Sequence, residues 1–345
     1  MNDRRNVLIT CAAQNAALAC ARSLHRAGWR VSLVDPDGRA KGFASRACDH
    51  YEVLPSPLEE PERYAQQIVA YLNRNTVELL IPVTDAAIFA LLPFKKTLER
   101  LTKIPWPSPE ALHAAVDKVQ TFDLAERLGF PLPAGVTIAD PQAALPELPY
   151  PVAVKPQQLR EGGKLAVRYA ADETALRAVF ASWPDDAFPA LVQERIVGPG
   201  EGYFGVWRHG EPVVECAHRR LRENPPSGGV STLREAIELP ADMRELARKL
   251  LSEWQWHGPA MVEFKRSRRD GKPYLIEVNG RLWGSLQLAI DAGIDIPVAS
   301  AAVALGEDAP PMRYTPGVRT RWLKGDLDSL LSRWRKTADL PPDAL

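Results

Sequence analysis

Two glutamates, an asparagine and an arginine late in the chain offer the most readable chemistry. Residues 259–265 run Pro-Ala-Met-Val-Glu-Phe-Lys and 274–281 run Tyr-Leu-Ile-Glu-Val-Asn-Gly-Arg, with Asp270-Gly271 between them. Both runs alternate apolar and polar residues around a turn signal, which predicts a hairpin. On the first strand Ala260, Val262 and Phe264 share one face and Met261, Glu263 and Lys265 the other. On the second, Tyr274, Ile276 and Val278 share one face and Leu275, Glu277 and Asn279 the other. A loop of odd length sets Glu263 opposite Glu277, whereas a two-residue turn separates them. Like charges directly opposite destabilise a sheet. A divalent cation reverses that sign, because hard metals take carboxylate and amide oxygens. Glu263, Glu277 and Asn279 are therefore candidate magnesium ligands, with Arg281 beside them for phosphate. The plain alternative is a surface hairpin with solvated acids.

Other segments carry weaker signals. Lys155 ends the strand-like run Val-Ala-Val-Lys-Pro and precedes a polar loop containing Gly162 and Gly163. A lysine beside a glycine loop suits phosphate oxygens, although Gly162-Gly163 also reads as a simple turn. The spacing is not that of a P-loop. Residues 190–201 form a strand that breaks into a glycine loop ending at Glu201. Such a segment offers backbone groups to a base edge and a carboxylate to ribose hydroxyls; an edge strand and turn is the alternative. His218, Arg219, Arg220 and Arg222 precede a Pro-Pro and Gly-Gly loop. Long cationic side chains there suit an anionic substrate or a transferring phosphoryl group, or else form a solvated charge run. Taken alone, His218 reads as a structural histidine. Thr84-Asp85 closes the run Leu-Leu-Ile-Pro-Val, where ligands of open α/β sheets bind, and Asp85 equally suits a helix cap.

The elements that must position these groups fall into distinct stretches. Residues 6–10, 12–27 and 30–34 read as strand, helix and strand, a βαβ unit. Helix over 61–74, strand over 77–83 and helix over 85–99 extend it to a parallel α/β unit of about 105 residues. A helix starts at Ser108-Pro109 and runs to Leu128-Gly129. Strands over 151–155 and 165–170 and a helix over 173–182 make a small α+β segment. Strands follow over 190–197, 202–208 and 212–218, then a helix over 241–256 and the hairpin. Helices over 283–292 and 297–305 and a short amphipathic one from Asp326 complete the chain. The first loop lacks the glycines of a dinucleotide fingerprint.

Bulk properties exclude several classes. Forty-three basic and 43 acidic residues give zero formal charge, so no general pull toward nucleic acid or anionic membrane operates. No run approaches the roughly 18 apolar residues of a membrane span. The four cysteines (11, 20, 48 and 216) are scattered, as expected of reduced cytoplasmic thiols. At 345 residues, two or three domains of about 100–200 residues are expected.

The order of these signals is more specific than any one of them. Lysine, glycine loop, strand with paired acids, cationic loop, then Glu, Glu, Asn and Arg resemble the ATP-grasp superfamily of carboxylate–amine or carboxylate–thiol ligases. The resemblance spans about residues 1–325 and is sharpest in Val-Glu-Phe-Lys and Leu-Ile-Glu-Val-Asn-Gly-Arg-Leu-Trp-Gly-Ser. It implies a Rossmann-like pre-ATP-grasp domain over 1–107, which helps hold the substrate. A small ATP-grasp subdomain over 108–189 and a large one over 190–325 would follow, with nucleotide between two antiparallel sheets, and then a C-terminal helix and tail over 326–345. It implies that Lys118 and Lys155 contact nucleotide, that Glu194, Arg195 and Ile196 hold adenine, and that Glu201 binds ribose. Gly162 and Gly163 would lie in a loop closing over phosphates, with Glu263, Glu277 and Asn279 on Mg2+ (Mn2+ as a substitute). Arg281 and Lys155 would meet the transferring phosphate. Arg220 or Arg222, with Arg219, would meet acylphosphate or substrate carboxylate, and Thr84, Asp85 and His218 would lie toward substrate. Gly280 replaces the family's usual proline. The implied activity is ATP-dependent carboxylate activation to an acylphosphate, with ADP and phosphate released, and joining to an amine in a cytoplasmic enzyme that is monomeric or a homodimer. The rivals are a non-catalytic MgATP-binding regulator and an ATP-grasp enzyme with a non-amine acceptor.

Overall fold

A computed structural model describes residues 4–156, 167–224 and 229–334. It contains three sheets. The first is parallel, with β1 (Asn6–Thr10), β2 (Arg30–Asp35), β3 (His50–Val53) and β4 (Leu79–Ile81) in the order β3-β2-β1-β4. Its central strands are apolar runs because helices cover both faces. These are α1 (Asn15–Arg26), α2 (Pro61–Arg74), α3 (Asp85–Leu91) and α4 (Lys95–Leu101). The expected helix over 85–99 is two helices, separated by a 3-10 turn at Leu92–Phe94, where Pro93 cannot donate a helical hydrogen bond.

The next expected helix is also two, α5 (Pro109–Val116) and α6 (Lys118–Arg127). Asp117 breaks them: its carboxylate accepts from the N–H groups of Val119 and Gln120 at 2.9 and 3.2 Å, so it caps the second helix. The second sheet is antiparallel: β5 (Gly135–Ile138), β6 (Val152–Pro156), β7 (Arg168–Ala170) and β8 (Ala190–Glu194), in the order β5-β8-β6-β7. With α7 (Glu173–Ala181) it encloses its own core of Val152, Val154, Leu176, Phe180 and Val192.

The third sheet is a six-stranded antiparallel one: β9 (Gly200–Arg208), β10 (Glu211–Asn224), β11 (Val230–Ile237), β12 (Gly258–Arg266), β13 (Pro273–Asn279) and β14 (Arg319–Arg321), in the order β13-β12-β9-β10-β11-β14. Helices α8 (Ala241–Glu253), α9 (Leu286–Asp291), α10 (Ile296–Leu305) and α11 (Leu323–Trp334) complete the described chain. The core that holds Leu8 and Leu80 of the parallel sheet also holds Tyr203, Trp207 and Phe264 of the third sheet. The first and last units are thus packed as one body, beside the small lobe with its separate core.

Candidate active site

A cleft of about 420 Å3 lies between the two antiparallel sheets. Its floor is one face of the third sheet. Glu263 of β12 and Glu277 of β13 are direct cross-strand partners, as are Met261 and Asn279. The connecting loop, 267–272, is even in length, and opposition is restored by a bulge at Ile276. That bulge corrects the simple alternation. Leu275 and Val278 both enter the core, while Ile276, Glu277 and Asn279 all line the cleft.

Asn279 donates its amide to Glu277 Oε1 at 2.9 Å, and Arg220 donates to Glu263 Oε2 at 2.5 Å. Burial, with Glu277 the next group acting in that direction, pushes Glu263 up to about 7 against the pull of Arg220. Burial also opposes ionisation of Glu277, but Asn279, then Lys118, Arg220 and Arg281, hold it below the ordinary carboxylate range. One carboxyl that tends to keep a proton and one that stays charged, side by side, form a site where a hard cation replaces the proton. Two carboxylates and an amide oxygen therefore fit Mg2+.

Two lysines reach the cleft, Lys155 from the small lobe and Lys118 from α6, which packs in the core of the large body. Lys155 of β6 is buried and donates to Gln193 Oε1 at 3.3 Å. Burial, then Lys118, pushes it down to about 8. Lys118 opens α6, placed by the Asp117 cap, and burial lowers it against the pull of Glu277. Glu194, Arg195 and Ile196 line the cleft where β8 leaves the small lobe. The Arg195 N–H donates to the Pro151 carbonyl at 2.9 Å, and Glu194 accepts from Arg269 at 2.7 Å. An extended hinge with Lys118 and Lys155 beside it can receive a base edge and a polyphosphate.

Arg281 follows Asn279 and lines the cleft. Its Nε donates to Asp85 Oδ2 at 2.8 Å. Thr84, rather than Asp85, caps α3, its hydroxyl accepting from the Ala87 N–H at 3.2 Å. Asp85 is thereby available to tie the parallel sheet to the site. Gly280 has a packing cause: a Cβ there would meet the Trp256 ring at 2.8 Å.

Besides Thr84, whose hydroxyl is taken up by the α3 cap, three expected residues point elsewhere. Glu201 lies on the face opposite Glu263, beside its register partner Phe264, and is fully buried. Its carboxylate accepts from Arg219 at 2.9 and 2.8 Å and from Arg266 at 2.6 Å. Neither Glu201 nor Arg219 lines the cleft, because strand period two sends them to the far face. Arg222 leaves it too: a register shift between Arg220 and Arg222 turns its side chain to Asp326 of α11, with two contacts of 2.7 Å. Arg220 and His218 do line the cleft. Gly162 and Gly163 lie outside the described residues. Sequence reasoning missed Arg234 of β11, which lines the cleft and is buried. The signal for it was slight, since Val230–Ile237 mixes polar and apolar residues without clean alternation.

The chain is thus a parallel α/β unit followed by two sheets that enclose a cleft of lysines, paired carboxylates and arginines. The similarities of this chain are to ATP-grasp proteins. Residues 206–325 match the family model described as "ATP-grasp in the biosynthetic pathway with Ter operon". Over 228 residues, 62% of the chain, it is 28% identical to the carbamoyl phosphate synthase large chain of Gemmatimonas aurantiaca, of which it spans only 20%. Biotin carboxylase from Campylobacter jejuni, solved with β,γ-ATP, superposes with a TM-score of 0.71 at 20% identity, over 90% of this chain and 73% of that one. The ADP complex of the N5-carboxyaminoimidazole ribonucleotide synthetase PurK gives 0.71 at 13% identity, over 92% and 80%. An L-amino acid ligase from Bacillus licheniformis gives 0.69 at 18%, over 88% and 75%.

Proposed function

We propose that this chain is an ATP-dependent ligase that activates a carboxylate as an acylphosphate and joins it to an amine. The observation that carries the reading is the pair of buried Glu263 and half-buried Glu277, with Asn279 and Arg281 at its side. Such a cluster is costly to a purely structural sheet and useful to one that binds MgATP.

Lys118 and Lys155 meet the phosphates, and Glu194 to Ile196 meet the base. Glu263, Glu277 and Asn279 would hold Mg2+, which when bound would supply positive charge to offset that of the phosphates. A substrate carboxylate oxygen attacks the γ-phosphorus, the bond to the bridging oxygen breaks, and ADP leaves. The amine nitrogen then attacks the acyl carbon, phosphate departs, and the nitrogen gives up its proton. Arg281, oriented by Asp85, sits where the transferring group gains charge. No side-chain nucleophile is needed, and burial raises the thiols of Cys11, Cys20, Cys48 and Cys216, which keeps them protonated. Among the described residues no helix is long and apolar enough to cross a membrane.

The test is MgATP turnover against pooled carboxylates and amines, with ADP resolved from AMP and Glu277→Ala as control. ADP and phosphate release that needs one acid and one amine, and is lost in the control, supports the ligase. AMP release refutes the acylphosphate route. Tight MgATP binding without turnover in any pool indicates a regulator.

A further inference from the structure

The Glu263–Glu277 pair has a counterpart of opposite sign on the same sheet. Register sets Arg220 of β10 directly across from Arg234 of β11, and both line the cleft. Like charges facing each other across a ladder are destabilising. Arg220 is compensated, holding Glu223 at 3.1 Å and Glu263 at 2.5 Å. Arg234 is not. It is 6% exposed, and its Nε and Nη1 donate at 3.0 Å to the Thr320 hydroxyl and the Ser231 carbonyl. Both acceptors are neutral, and among the described residues no carboxylate pairs with it. Burial, then Arg220, pushes its ionisation down to about 10. An arginine is charged even so, and a buried cation without a counter-ion is costly.

The groups around it point the same way. His218 is 2% exposed, and neither ring nitrogen finds a hydrogen-bond partner among the described residues. Burial, then Arg220 and Arg234, holds it well below its ordinary value, so it stays neutral and offers one N–H. The indole N–H of Trp283 is also buried and unpartnered. Phe204 fixes both rings, lying edge-on to His218 at 4.6 Å and stacked on Trp283 at 4.5 Å. Gly202 makes room, since a Cβ there would meet Phe204 at 2.8 Å and His218 Nε2 at 3.1 Å. Buried hydroxyls of Ser231 and Ser285 line the same end. One uncompensated guanidinium among neutral donors matches a single negative charge better than a phosphate dianion.

We propose that Arg234, with His218 and Trp283, anchors a spectator carboxylate: one carried by a substrate and distinct from the carboxylate that is phosphorylated. This rests on the ligase reading and names its substrate class. Either the acid is a dicarboxylate or the amine is an amino acid; the chemistry of recognition is the same.

The test uses the full chain and Arg234→Gln. With MgADP saturating the nucleotide site, acetate replacing chloride at constant ionic strength is expected to raise the melting temperature of wild type. Arg234→Gln should lose that shift and, without acetate, melt no lower than wild type, because it removes an unmatched charge. In turnover, the KM of the carboxylate-bearing substrate should rise roughly 10- to 100-fold, with the KM for ATP little changed. Amides of amino acids and monoamides of dicarboxylic acids then tell which partner carries the group. No acetate shift in wild type overturns the site, as does a variant that melts lower with its shift intact, which would make Arg234 a strut. Turnover of a monocarboxylate with a plain amine, as good as with a second carboxylate present, overturns it as well. An Arg234-dependent acetate shift without turnover in any pool keeps the anion site and removes the ligase reading beneath it.

Discussion

Glu201 separates a structural carboxylate from a ribose ligand, and its replacement by glutamine tests which it is. The side chain is fully buried and takes three N–H bonds, two from Arg219 and one from Arg266. Breaking a buried ion pair by removing one partner costs about 3–5 kcal/mol. Two observations place this case at the lower end. Arg266 keeps Asp242, at 2.8 and 3.1 Å, and the Arg219 side chain is 42% exposed and regains water. Glutamine also keeps the shape and one acceptor oxygen. The expected loss is about 3 kcal/mol, which at a urea slope of roughly 3 kcal/mol per molar lowers the midpoint by about 1 M. Nucleotide affinity, titrated under native conditions, should stay within about threefold, less than 1 kcal/mol. A variant with an unchanged midpoint and a nucleotide Kd weakened more than about tenfold would refute this reasoning. It would mean that the carboxylate turns into the cleft when nucleotide binds.

Further outcomes follow from the same geometry. Arg281→Lys should lower kcat by roughly 100-fold while leaving the KM for ATP nearly constant, measured as steady-state ADP release. Gly202→Ala should cost about 1–3 kcal/mol in denaturant melts, because its Cβ meets the Phe204 ring at 2.8 Å. Stability should depend on pH through His218 and His257. Burial first pushes both below the ordinary value, His257 to about 4 with help from His209 and Arg208. The unfolded chain takes up these protons near pH 6.5 and the folded chain resists, so stability is full above about pH 6.5 and falls as pH drops toward 4. Urea midpoints against pH should show that slope, and His257→Gln should flatten part of it. Asp326→Asn should loosen α11, since the buried carboxylate accepts from Arg222 twice at 2.7 Å and from Thr232 at 3.1 Å. Faster amide exchange confined to residues 323–334 would report it.

Period and turn chemistry made the parallel unit and the hairpin legible, because each is decided within a few residues of sequence, but they left the Glu263–Glu277 opposition to the loop length. What remained hidden depended on register between strands distant in the chain. Arg220 and Arg222 are identical in type and two apart, so alternation puts both on one face. The shift between them, set by pairing with β11, sends one to the cleft and the other to α11. The bulge at Ile276 acts in the opposite sense, restoring a pairing that an even loop would have destroyed. Arg234 could not be found at all without knowing that β11 lies beside β10. Once pairing is known, the floor of the cleft follows one rule. Two acids opposite each other, and two arginines opposite each other, each destabilise a sheet until something of the other sign comes between them. The first pair fits a divalent metal ion. The second is half satisfied by Glu263 itself, so a cation that draws Glu263 toward metal also withdraws charge from Arg220. Binding at the acidic pair then sharpens the demand for an anion at the basic one. That coupling predicts that the acetate shift is larger with MgADP present than in its absence; equal shifts would show the two pairs to be independent.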